Sequence, residues 1–186
     1  MEISYVIGGK KNMKKVCSIF LVLSLVLILS VPAFATSDSQ SLTIPSNGGT
    51  LTSDVWRSTT ETTSGNTLQW DYQITAKYTG SRTVQSIKAA WYSSASLRNS
   101  ASINMSFSVG DGGIASISAG ASSTWQTTTT RNVTWTNSNG STSSWDRSNI
   151  AIGPKVDYRA DTICTYNTAT VTVSGDAKPY TITASV

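Results

Sequence analysis

The chain has 186 residues, with 14 Lys and Arg against 10 Asp and Glu and no histidine. Without histidine, Ser-His-Asp and Cys-His nucleophile systems and imidazole-bound metal centres are excluded. Lys10, Lys11, Lys14 and Lys15 supply most of the formal +4 charge, so the chain beyond residue 35 is nearly neutral and carries no basic patch for nucleic acid.

Residues 1–35 read as a leader. Lys14 and Lys15 precede an apolar run from Val16 to Val31, and Ala33-Phe34-Ala35 gives a small–x–small cleavage pattern. That is a secretory signal peptide, cleaved before a mature chain of residues 36–186. Met13-Lys14-Lys15 resembles a bacterial leader start, which makes residues 1–12 upstream sequence and Met13 the true start. The expected location is secreted and extracellular. Residues 36–186 suit one domain with its own core.

Ser and Thr make up over a third of residues 36–186, yet apolar periodicity argues against a disordered stalk. Leu51 to Trp56 is a short candidate strand after the Asn47-Gly48-Gly49 turn. Leu68, Trp70, Tyr72, Ile74, Ala76 and Tyr78 alternate strictly with Gln69, Asp71, Gln73, Thr75 and Lys77. Val84 to Tyr92 aligns Ile87, Ala89 and Trp91. Residues 101–120 form a hairpin around "GDGG", with Met105, Phe107 and Ile117 expected in the core. Trp125 to Trp135 reads as one strand, and 138–148 as a polar loop carrying Trp145, Asp146 and Arg147. Lys155 to Tyr166 aligns Val156, Tyr158, Ala160, Thr162, Cys164 and Tyr166. Ala169 to Val173 follows as a separate strand, and Tyr180 to Val186 aligns Tyr180, Ile182, Ala184 and Val186. Turn residues punctuate these runs and no segment has a helical period. The expected fold is an all-β, single antiparallel β-sandwich of eight or nine strands.

Chemistry is sparse. Cys164 is the one cysteine beyond residue 35, so an internal disulfide is impossible there and Cys164 reads as a small buried hydrophobe. The composition resembles that of small secreted β-sandwich glycosidases, which use two Glu. Here Glu61 stands alone in a loop beyond residue 35, and Asp71 and Asp157 sit on expected wet faces. No spacing of acids matches a calcium loop, Asp111 reads as a turn residue, and no cofactor or metal is expected. An enzyme is therefore not expected.

Aromatics carry the positive signal. Trp70, Trp91 and Trp135 fall on apolar faces. Trp145, Trp125 and Trp56 do not, and with Arg147 they are the candidate ligand-binding residues, since flat indole rings stack on sugars. The favoured function is a secreted, non-catalytic bacterial binding protein for a glycan, cell-wall polymer or protein ligand. The alternative is membrane action. The hairpin at 101–121 is similar, in its Ser-rich amphipathic pattern, to the insertion hairpins of aerolysin-like toxins, which implies a small pore-forming protein. A third option is an extracellular fibre built from Thr-rich strands such as Thr127–Thr130.

Overall fold

Alternation over residues 68–78 works as the spacing demands. Leu68, Trp70, Tyr72, Ile74, Ala76 and Tyr78 are each at most 9 % exposed, while Asp71 and Lys77 between them lie in solvent. The structure, a computed structural model, describes residues 36–46, 48–59, 62–107 and 113–186. The leader read from residues 1–35, Glu61 and Asp111 fall outside the described residues.

The strands are β1 (Thr36–Thr43), β2 (Thr50–Arg57), β3 (Thr62–Ser64), β4 (Thr67–Thr79), β5 (Val84–Leu97) and β6 (Ser102–Phe107). They continue as β7 (Gly113–Ser118), β8 (Gln126–Thr129), β9 (Val133–Asn137), β10 (Ser143–Gly153), β11 (Tyr158–Val173) and β12 (Tyr180–Ser185). Sheet A runs β1-β2-β4-β10-β6-β7, with β3 also on β4. Sheet B runs β12-β11-β5-β8, with β9 also on β5. Neighbours pair antiparallel, for example Ile74 opposite both Val55 and Asp146. The result is an all-β sandwich whose inner faces enclose Trp91, Tyr72, Ile74, Ile87, Ile103, Met105, Ile150 and Val171.

Polar groups cross the core and tie the sheets together. Asn167 of β11 is fully buried, and its Nδ2 donates to Ser53 Oγ (3.0 Å), the Thr75 carbonyl (2.9 Å) and the Asp54 carbonyl (3.2 Å) of sheet A. Ser53 Oγ donates back to the Asn167 carbonyl at 2.8 Å. Ser144 Oγ of β10 donates to the Trp135 carbonyl of β9 at 3.0 Å. In a dry interior such bonds are costly to leave unmade, so they fix how one sheet sits on the other. At the sandwich edge, the Ser185 amide of β12 donates to Asp38 Oδ2 of β1 at 2.9 Å.

Several expectations need correction. Twelve strands form among the described residues, rather than eight or nine. Residues 143–148 are not loop but the first half of β10: Ser144, Asp146 and Ser148 point inward, so the buried face shows no hydrophobic period until Ile150. The stretch 125–135 is two strands, β8 opposite Ser94–Leu97 and β9 opposite Ile87–Trp91. Residues 158–173 are one continuous strand, and its facing is the reverse of that expected beyond Ala160. Arg159 pairs with Ser96 and Cys164 with Ser94, so β11 gains an odd number of residues on β5 and turns over.

Ile163, Thr165, Asn167 and Ala169 therefore face the core. Cys164 is half-buried on the outer side beside Tyr166, which stacks on Tyr92 with ring centroids 4.8 Å apart. The Cys164 hydrogen bond, before burial, raises the Tyr166 phenol above its ordinary value. Asp157 is on no strand: it lies in a short 3-10 turn, buried, and pairs with Arg98 at 3.0 Å. Ile117 opposes Ile103 but is 39 % exposed, because β7 is the last strand of sheet A and lacks an outer neighbour. The Phe107 side chain falls outside the described residues.

Two outcomes follow. Asn167→Ala removes the amide that joins the sheets and should lower the unfolding free energy by about 2–4 kcal/mol in urea with an unchanged m-value. A loss below about 1 kcal/mol would contradict its cross-sheet role. The Asp38 carboxyl is held below the usual 3.8, chiefly by the Ser185 amide. Its stabilising contribution is present above that value and is lost as pH falls through the lowered one. Wild-type melting temperature should therefore drop on acidification below about pH 4, and Asp38→Asn should flatten that drop. An identical acid limb in the variant would remove Asp38 from the account.

Candidate functional site

Because the core claims the even positions of β4 and β10 and the odd positions of β2, the remaining positions form the outer face of sheet A. Register then decides which of them meet. Trp56 of β2 opposes Gln73 of β4, which opposes Arg147 of β10. One step along, Asp71 opposes Asn149, which opposes Ser106 of β6. One step the other way, Asp54 opposes Thr75, which opposes Trp145.

These rows line two adjoining depressions. The larger, about 850 Å³, is bordered by Trp56, Asp71, Gln73, Ser106, Arg147 and Asn149. Its floor also includes Tyr72 and Ser148, whose side chains are turned into the core. The smaller, about 410 Å³, is bordered by Gln73, Thr75, Lys77, Ser143, Trp145 and Arg147. Gln73 and Arg147 belong to both, so they form the saddle of one elongated groove.

Trp56 and Trp145 stand at the two ends, 40 % and 52 % exposed. Two strand spacings across and two residues along put their backbones roughly 12 Å apart. Asn149 Nδ2 donates to Asp71 Oδ1 at 3.1 Å, which holds that carboxylate in place. Ser106 Oγ donates to the Asn149 carbonyl at 3.4 Å. The floor thus offers amide, hydroxyl, carboxylate and guanidinium groups between two bare indole rings. Such a surface can stack a flat apolar ring face at each end and hydrogen-bond a polyhydroxylated chain between them.

Trp145, Arg147 and Trp56, each marked by the sequence, therefore converge, although Trp145 and Arg147 do so on a strand. Trp125 does not join them. It is half-buried just before β8, and its ring is already engaged by the Arg98 and Arg159 guanidinium groups, each 4.6 Å from its centroid. Arg98 is in turn held by Asp157 Oδ1, which also accepts from Asn99 Nδ2 at 3.0 Å. This is an internal brace, and it leaves Trp125 without the bare ring that stacking on a ligand needs.

Gln73, Asp71, Asn149 and Ser106 are site residues that sequence reading missed. All four lie on polar faces of alternating strands, and only register reveals that they are neighbours. Among the described residues no cluster of three or more His, Cys, Asp or Glu is placed to hold a metal ion. No family model matches the chain, and no curated protein matches it in sequence.

The contrast between the tryptophans is measurable as stability. Trp145→Ala should change the unfolding free energy by less than about 0.5 kcal/mol, since its ring is exposed. Trp125→Ala should cost about 1–2 kcal/mol through two lost cation–π contacts. Equal effects in a thermal melt would contradict the assignment of Trp145 to the free face and Trp125 to the brace.

Proposed function

We propose that this protein is a secreted, non-catalytic glycan-binding protein whose recognition surface is the groove on the outer face of sheet A. The observation that carries the reading is a pair of exposed tryptophans, Trp56 and Trp145, at the ends of a polar groove. Two half-exposed indoles on an otherwise polar sheet leave apolar area open to a partner, and large aromatic groups on a rigid polar surface are the usual anchors of a binding site. The signal-peptide pattern of residues 13–35 supports export, which would bring the groove to cell-surface or cell-wall polymers.

The carboxylates support binding rather than hydrolysis. Among the described residues, Asp71 and Asp54 are the acids on the cross-strand rows that line the groove. Their positions, four residues along and one strand across, place their backbones roughly 14 Å apart. Paired glycosidase carboxylates work about 5–9.5 Å apart.

The β6–β7 hairpin gives the membrane reading less support than the groove gives the binding one. Its strands have six residues each, against about 9–11 for a spanning strand, and Ile103 and Met105 are fully buried in the core.

Co-sedimentation with insoluble cell-wall polysaccharide and screening on a glycan array test the proposal. Trp56→Ala and Trp145→Ala should each weaken retention about tenfold or more, and Trp125→Ala should leave it unchanged if the variant is folded. Undiminished retention by the Trp56→Ala/Trp145→Ala double variant would overturn the assignment of the groove.

A further inference from the structure

Asp71 of β4 and Asn149 of β10 stand directly opposite on the outer face of sheet A, and Asn149 Nδ2 donates to Asp71 Oδ1 at 3.1 Å. A carboxylate can only accept, so this contact fixes which end of the Asn149 amide faces it. One amide hydrogen and one carboxylate oxygen are thereby engaged. Asp71 Oδ2 and the second Nδ2 hydrogen of Asn149 have no hydrogen-bond or ion-pair partner among the described residues. The pair therefore offers an acceptor and a donor side by side in the lining of the larger depression.

Both residues are fixed in position before any ligand arrives. The Asp71 amide donates to Ser58 Oγ at 3.1 Å, and its carbonyl accepts from the Ser58 amide at 2.8 Å. The Asn149 carbonyl accepts from Ser106 Oγ at 3.4 Å. Polar groups already held in place lose little freedom on binding. Trp56 borders the same depression. One strand across and two residues along put its backbone roughly 8 Å from that of Asp71. A sugar ring resting on the Trp56 indole thus has its edge within reach of the Asp71–Asn149 pair.

We propose that the Trp56 end of the groove recognises two neighbouring free hydroxyls, a vicinal diol, on the sugar unit that stacks on Trp56. The proposal rests on the glycan-binding reading of the groove. One hydroxyl donates to Asp71 Oδ2, a charge-assisted bond, and its neighbour accepts the second Nδ2 hydrogen of Asn149. A carboxylate has no hydrogen of its own to give. A unit whose hydroxyl is replaced by a linkage oxygen or an amide group therefore leaves Asp71 desolvated and without its donor, and is rejected. The ligand class is a polysaccharide whose chain units keep two adjacent hydroxyls free. Chains of 1,4-linked glucose, mannose or xylose do so, and 1,3-linked glucan and chitin do not. Asp71 sets the specificity, while Trp56 supplies the stacking surface.

Retention on six insoluble polysaccharides tests this. Amylose, cellulose, β-1,4-mannan and β-1,4-xylan carry the diol along the chain; curdlan, a β-1,3-glucan, and chitin lack it. Wild-type protein should be retained on at least one of the first four at least tenfold more strongly than on curdlan and chitin. Asp71→Asn and Asn149→Ala should each reduce that preference at least fivefold. Asp161→Asn, a control at an exposed position in the bulged part of β11 on sheet B, should leave it unchanged. Equal wild-type retention on the two groups, stronger retention on curdlan or chitin, or an undiminished preference in either Asp71→Asn or Asn149→Ala would overturn the diol inference and leave the groove intact. Retention on none of the six would overturn it too. Joined with failure to be retained on cell-wall polysaccharide and on the array, that result would overturn the glycan reading itself.

Discussion

A β-strand has two faces, and a sandwich core can take only one of them. That constraint governs this molecule. The residues that β4 sends inward, from Leu68 to Tyr78, build the core; those it sends outward, among them Asp71, Gln73, Thr75 and Lys77, are left to solvent and to whatever binds there. The same division on β2 and β10 puts Val55 inside and Trp56 outside, and Asp146 inside with Trp145 and Arg147 outside. The outer face of sheet B is filled differently. Thr168 meets Thr183 and Thr170 meets Thr181 through hydroxyl contacts of 2.9 and 3.2 Å, around one stacked tyrosine pair. The exposed tryptophans belong to sheet A, and this asymmetry singles out one face.

A face can present a site only if its strands hold a fixed register. The core supplies that rigidity partly through polarity. Asn167, Ser53, Ser144, Ser93 and Thr165 are all fully buried, and their hydrogen bonds are directional where hydrophobic contacts are not. Asn167 binds the Thr75 carbonyl on β4, directly beneath the row that carries Trp145. The outer face of sheet A is thus held from behind by the contacts that lock the two sheets together. Trp125, clasped by Arg98 and Arg159, does comparable bracing work at the end of sheet B.

Legibility in the sequence followed the same physics. Strands with an apolar inner face were readable: residues 68–78 and 180–186 face as their spacing indicates. Residues 143–148 were not, because Ser144, Asp146 and Ser148 fill their inner face and produce no hydrophobic period. β11 misled for another reason. A bulge between Arg159 and Cys164 turns the strand over, and nothing in "RADTIC" announces it. Of the site, the conspicuous residues Trp145, Arg147 and Trp56 were legible one by one. Their assembly with Gln73, Asp71 and Asn149 was not, since cross-strand neighbours depend on register, which no single strand encodes.

The central claim is that recognition occurs on the outer face of sheet A. It is tested most directly by following backbone-amide and indole N–H resonances while the protein is titrated with soluble fragments of a polymer it retains. The account predicts shifts confined to the Trp56 and Trp145 indoles and to the amides around Gln73, Arg147 and Asn149, with Trp125 and the Tyr92–Tyr166 pair undisturbed. Shifts centred on sheet B or on the β6–β7 hairpin, with both exposed indoles unmoved, would contradict it.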